Sequence, residues 1–285
     1  MRLRGIRRSK NVEVRGTGNT GTRRRRGGRA GGLGLTGVLV VLALGYFTGI
    51  DVSPLLQGDG TGQSEQSAPS SAADARVTEF SAQVLATTED VWTKVFREQL
   101  GRTYVAPRLV VFSSVTQSPC GGASGATGPF YCPADSKAYL DTGFFTMLDQ
   151  QMGAGGDFAA AYVIAHEVAH HVQNELGILP KVSVARQKAS KTEANQLTVQ
   201  LELMADCLSG VWASHVKGLM EKGDLEEALN AARKIGDDHL QRQAGRVPQP
   251  HTFTHGTSQQ RASWFARGYE TGAVGQCDTF AAGQL

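Results

Sequence analysis

Seven histidines occur in the 285 residues, and three of them fall within "YVIAHEVAHHVQ", residues 162–173. An ionisable cluster inside an apolar run is costly unless something compensates it. His166, Glu167 and His170 form the pattern H-E-x-x-H. Histidines four apart on a helix share one face, one turn apart. Their ring nitrogens can therefore reach one Zn²⁺ at about 2.0–2.1 Å each. Glu167 lies roughly 100° round from His166, placed to meet a metal-bound water rather than the metal. Zinc would lower that water's pKa towards about 7, and the glutamate would take its proton as attack begins. With so few histidines, the composition produces this pattern by chance only about 0.01 times. The plain alternative, two core histidines satisfied by hydrogen bonds, would need several buried polar partners. His171 points away from His170 and is not expected to be a ligand.

A catalytic zinc needs a third protein ligand and an open position. Continuation as H-x-x-G-x-x-H is excluded, because Gln173 and Leu176 stand at the first and last of the required positions. "ELMADCLSG", 202–210, offers Glu202 and Asp206 on one helix face. Glu202 is the candidate third ligand. Asp206, one turn on, would accept the outer N–H of a ligand histidine and fix its tautomer. A solvated acidic face is the alternative, against which Leu201, Leu203 and Met204 surround Glu202. His255 is the candidate donor to a tetrahedral oxyanion, with Tyr139 behind it. Arg261 is expected to face solvent rather than a site carboxylate. "KAYLD", 137–141, is the candidate strand on which an extended substrate would pair.

The pair "HEVAH … ELMAD" resembles the gluzincin zinc peptidases, in which the glutamate is the third ligand and the aspartate supports a histidine. More narrowly, "GPFYCPAD", "YLD", "HEVAHHVQ", "ELMADC" and "HGTSQQRASWFARGYETG" resemble the bacterial family described as "putative neutral zinc metallopeptidases". That resemblance covers about residues 76–280. It implies a zincin-like fold, bound Zn²⁺, a peptide or protein substrate and a hydrolase. The rival reading is a catalytically silent zincin-fold scaffold or binding module of the cell envelope. Retention of Glu167 argues against it, since a binding module has no need of that residue.

The elements that must position these groups read as α+β and predominantly α-helical. Apolar residues at helical spacing predict a helix over 76–100, divided at Asp90. "RLVVF", 108–112, and 137–141 read as buried strands. Phe158, Ala161, Tyr162, Ala165, Val168, Ala169, Val172 and Leu176 give the H-E-x-x-H helix one apolar face, stopped by Gly177 and Pro180. "SKTE", 190–193, is a capping box opening the helix that carries Glu202. One helix is expected from Asp224 to about Gln241, and a last one from Thr257 or Ser258 to Gly272.

Charge is unevenly placed. The formal net charge is +3, yet residues 1–32 hold eleven Lys/Arg against Glu13 alone. Residues 33–50 follow with no charged side chain, about the length of a bilayer core. The pattern predicts a basic cytoplasmic segment (1–32), an uncleaved transmembrane helix (33–50), a tether rich in Ser, Gly, Gln and Ala (51–75), and an extracytoplasmic metallopeptidase domain (76–285). The basic block has no interleaved aromatics, so nucleic-acid binding is not expected. All four cysteines lie beyond residue 76, and an even number on the oxidising side suits two disulfides. Three pairings are open. The Gly-rich loop favours Cys120 with Cys132, which leaves Cys207 with Cys277; the alternative is four thiols.

Overall fold

The computed structural model describes residues 1–16, 71–124 and 128–281. The expected span 33–50 and most of the tether lie outside the described residues. Among the described residues, no helix is long and apolar enough to cross a membrane.

The chain is α+β and mainly helical. Strand β1 (Val12–Arg15) precedes helix α1 (Ala72–Gln99), then β2 (Arg108–Phe112), the hairpin β3 (Val115–Ser118) and β4 (Gly121–Ser124), β5 (Phe130–Cys132), β6 (Lys137–Asp141) and α2 (Phe144–Gln150). Helices α3 (Asp157–Glu175), α4 (Ile178–Lys188), α5 (Lys191–His215), α6 (Asp224–Lys234), α7 (Asp237–Gln243) and α8 (Ser258–Thr271) follow. Helix α1 is unbroken, because Asp90 is exposed and needs no kink. Pro180 does not end α3. It sits in the first turn of α4, where the missing N–H costs no helix bond, and Gly177 at φ 73° makes the corner. The Asp224 helix breaks at Gly236, whose Cβ would meet the Ser258 backbone nitrogen at 2.4 Å. Both expected caps are present: Ser190 with Glu193, and Thr257 with Gln260.

The main sheet has the order β1-β2-β6-β5, with β1, β2 and β6 parallel and β5 antiparallel at the edge. Side chains alternate across a strand. Leu109, Val111, Ala138 and Leu140 join the main core with the helices. Val110, Phe112, Cys132 and Tyr139 form a separate small cluster. "KAYLD" is therefore an interior strand, not an exposed edge. Tyr139 is fully buried on the other side of the strand from Ala138 and Leu140; it stacks on Phe130 and donates to Asp135 Oδ2 at 2.7 Å. It cannot stand behind His255 or line a substrate strand, because strand parity turns it away.

The first sixteen residues pack on the folded body. β1 completes the sheet beside β2, in register from Val12 with Leu109 to Arg15 with Phe112. Glu13 pairs with Lys137 of β6 at 2.8 Å, and Ser9 and Asn11 both donate to Glu89 of α1. Met1 and Leu3 enter the main core. A basic composition hid this because the apolar and acidic contacts are single residues scattered among arginines.

Both disulfides fall where the cysteine spacing favoured them. Cys120–Cys132 ties the β3–β4 turn to β5, and Cys207–Cys277 ties α5 to the chain after α8.

Candidate metal centre

Helix α3 runs through the core, flanked by α5, α6 and the sheet, and its apolar face is almost continuous. His166 and Glu167 are buried on it, with His170 close behind in exposure. Helix α5 brings Glu202 to the same point. Glu202 Oε2 lies 3.1 Å from His166 Nε2, and Oε1 lies 3.4 Å from His170 Nε2. The two imidazoles stand edge to face, with ring centres 4.9 Å apart. One ligand atom from each of His166, His170 and Glu202 falls within 4.8 Å of the others, a spacing that could hold a metal ion.

The outer nitrogens are also engaged. His166 Nδ1 lies 2.9 Å from Asp206 Oδ1, though off the line of its N–H bond. Asp206 is fully buried and accepts from Tyr162 Oη at 2.6 Å. It also accepts from Arg261 Nε at 2.8 Å and Nη2 at 3.0 Å. Arg261 is thus not a solvent residue: only 2% exposed, it forks onto the site aspartate from α8. A buried charge is tolerable only when paired, and these two satisfy each other. His170 Nδ1 faces Gln173 Oε1 at 2.9 Å.

Burial opposes ionisation of every group here, and the partners decide the outcome. Burial lowers His166, but Asp206 and Glu202 outweigh it and push its pKa up to about 10. His170 is raised likewise, burial losing to Glu202. Burial would raise Glu202, yet His170 and His166 hold it well below the usual carboxylate range. Asp206 is lowered against its burial chiefly by Arg261. Glu167 behaves differently: burial raises it, and no hydrogen bond reaches its carboxylate among the described residues. The pocket therefore favours positive charge between carboxylates. A divalent ion answers that demand in place of imidazolium protons, and two imidazoles with a carboxylate suit zinc. The residues fit the metal.

His171, as expected, stays out of this cluster. Its Nε2 lies 2.6 Å from the Val105 carbonyl oxygen, which can only accept, so Nε2 carries the proton and Nδ1 accepts from Tyr131 at 3.0 Å. Burial lowers its pKa and keeps it neutral. His171 thereby locks edge strand β5 to the helix bearing His166 and His170. His255, on the loop before α8, is about half exposed, with Nδ1 3.3 Å from Asp237 Oδ1. Three successive backbone N–H groups, Thr254 to Gly256, donate to Asp237 Oδ2 and fix that loop. Among the influences that lower the Glu202 pKa, the His255 charge ranks behind His170 and His166. The sequence alone assigns Arg261 to solvent rather than to a site carboxylate, and it assigns Gln173 no supporting role. Arg261 lies 55 residues from Asp206, and no local pattern announces such a pair.

Residues 1–280 match the sequence model of the family described as "Putative neutral zinc metallopeptidase". The chain belongs to this family. As a member of the zinc metallopeptidase family it is similar to Escherichia coli K12 YpfJ, 47% identical over 286 residues, covering 98% of this chain and 99% of that protein. It is also similar to Mycobacterium tuberculosis H37Rv Rv2575, 42% identical over 195 residues, covering 64% and 65% of the two chains. Both relatives are described only as uncharacterized proteins. No solved structure matches the chain. The family match begins at residue 1, so it includes the segment that contributes β1.

Proposed function

We propose that the protein is a zincin-like metallopeptidase that hydrolyses peptide bonds at the His166–His170–Glu202 cluster. The observation that carries this reading is Glu167: a buried carboxylate that takes no hydrogen bond among the described residues, beside two imidazoles and the Glu202 carboxylate. Burial raises its pKa above the ordinary carboxylate value, the direction that strengthens it as a proton acceptor. A zinc ion held by His166 Nε2, His170 Nε2 and Glu202 would supply Lewis acidity towards water and the scissile carbonyl. Glu167 takes the proton of the attacking water and delivers it to the leaving amine. Asp206, clamped by Arg261 and Tyr162, holds His166 in place. His255, its Nδ1 turned to Asp237, presents Nε2 to the developing oxyanion. Extended substrate pairs along β5, the edge strand beside β6, whose Tyr131 is tied to His171.

Replacing Glu167 by Gln tests the proposal. The variant should retain zinc and lose chelator-sensitive cleavage of an unfolded protein by about 10²–10⁴-fold. A zinc-loaded wild-type chain that cleaves nothing, with E167Q unchanged in biological activity, would instead support the silent scaffold.

The two disulfides support placing the folded body in an oxidising compartment. Residues 1–16 share that body, so we propose that they lie on the same side of any membrane as residues 71–281, rather than across it. A cysteine introduced at the exposed Arg4 should react with an impermeant thiol reagent on intact cells. Labelling only after lysis would contradict the proposal.

A further inference from the structure

His170 has a supporting residue of its own, Gln173, whose partners fix its orientation. Gln173 is fully buried on α3, one turn beyond His170. Its Nε2 lies 2.6 Å from the carbonyl oxygen of Leu201, on α5. A carbonyl oxygen can only accept, so the amide nitrogen must face it. That fixes the other end of the amide: Oε1 faces His170 Nδ1, at 2.9 Å. An amide oxygen also only accepts, so Nδ1 of His170 must carry a proton. In the neutral ring, the lone pair then resides on Nε2, the nitrogen facing Glu202.

We infer that Gln173 is a positioning residue that sets the tautomer of His170 and, through Leu201, holds the helix turn that presents Glu202. One amide thus links two of the three candidate ligands. Leu201 immediately precedes Glu202, so a hydrogen bond to its carbonyl restrains the backbone next to that ligand. The two histidines are supported unequally: His166 by an aspartate paired with Arg261, His170 by a neutral amide. A carboxylate at position 173 would accept from His170 but set an oxygen against the Leu201 carbonyl. The amide is the side chain that serves both contacts at once.

The inference rests on the metal-site reading, so zinc binding by the wild-type full chain is measured first, by competition with a chromophoric chelator. Q173L removes both contacts and Q173E removes only the donor to Leu201. Q173L should weaken zinc binding about 10–100-fold, and Q173E should fall between it and wild type. In ¹⁵N spectra of the zinc-loaded protein with labelled histidine, wild type and Q173E should show His170 protonated at Nδ1. Q173L should lose that signature while His166 keeps its own. Wild-type zinc affinity in Q173L, or Q173E as weak as Q173L with the same His170 spectrum, would overturn the inference. Should Q173L fail to fold, Q173E decides: a lost His170 Nδ1–H signature there overturns it equally. A wild-type chain without zinc affinity would overturn the metal-site reading as well.

Discussion

Replacing Gly268 by Ala separates local propensity from packing, because the two demand opposite signs. Gly268 is in the interior of α8, where Ala is favoured over Gly by about 0.8–1.0 kcal/mol. A Cβ there would sit 1.9 Å from the Cys207 carbonyl oxygen of α5, where real Cβ contacts essentially never fall below 3.0 Å. A Cβ added at Gly210, on the opposite side, would likewise sit 2.1 Å from the Phe265 carbonyl oxygen. The two backbones must therefore part by about 1 Å. The obstacle is main chain, not the end of a flexible side chain. The cost should reach or exceed the upper part of the usual overpacking range of about 1–3 kcal/mol. Packing wins, and the net loss should be about 2 kcal/mol, or about 4–8 °C in Tm for a body of this size. The effect should also reach the site. Arg261 lies two turns earlier on α8, so separating α8 from α5 pulls its fork from Asp206. Thermal unfolding of G268A measures the first effect and zinc competition the second. Gly218, whose Cβ would meet nothing within 4 Å, is the control, and G218A should stay within about 0.5 kcal/mol of wild type. A G268A protein as stable as wild type or more so would mean that α5 and α8 have room for the added methyl.

Other outcomes follow from the same contacts. R261M leaves Asp206 buried without its cation, which should cost about 3–5 kcal/mol in denaturant unfolding and weaken zinc binding. A chain cut to residues 76–285 removes β1, Met1 and Leu3, uncovering the β2 edge; it should aggregate or unfold at lower denaturant than the full chain, as light scattering and urea titration would show. Acidification should release β1 first. Burial would raise Glu13, but Lys137 and Arg15 outweigh it and lower its pKa. Its contribution is therefore complete above the ordinary carboxylate value of 4.5 and lost as pH falls through the lowered folded value. Hydrogen exchange at 12–15 and 108–112 should accelerate in that window, and E13Q should remove the dependence.

Much of the site was legible because it is local. The H-E-x-x-H spacing and the apolar stripe of α3 specify the same helix face, and Glu202 and Asp206 share a face for the same reason. The capping box at Ser190 marked one helix start, since its hydrogen bonds join residues three apart, and of the two caps open for the last helix the structure takes Thr257. What stayed hidden is set by tertiary placement. Tyr139 and Leu140 read alike in sequence, yet parity sends one to each face, and only the packed helices show which face holds the site. β1 is legible only once β2 is in place, because four residues among arginines carry too little periodicity. Arg261 resembles any helix-surface arginine until α8 is laid against α5. Gln173 entered only as the residue standing where another ligand pattern would need its glycine, and its second partner, Leu201, lies on a different helix.

Zinc titration of the full chain beside its Glu202→Ala variant reads the three-ligand site itself. A site built from His166, His170 and Glu202 should bind one zinc tightly per wild-type chain, with X-ray absorption showing two imidazole nitrogens at about 2.0–2.1 Å, and E202A should have no tight site. Undiminished zinc binding by E202A, or a wild-type chain that takes up no metal, would contradict that ligand set.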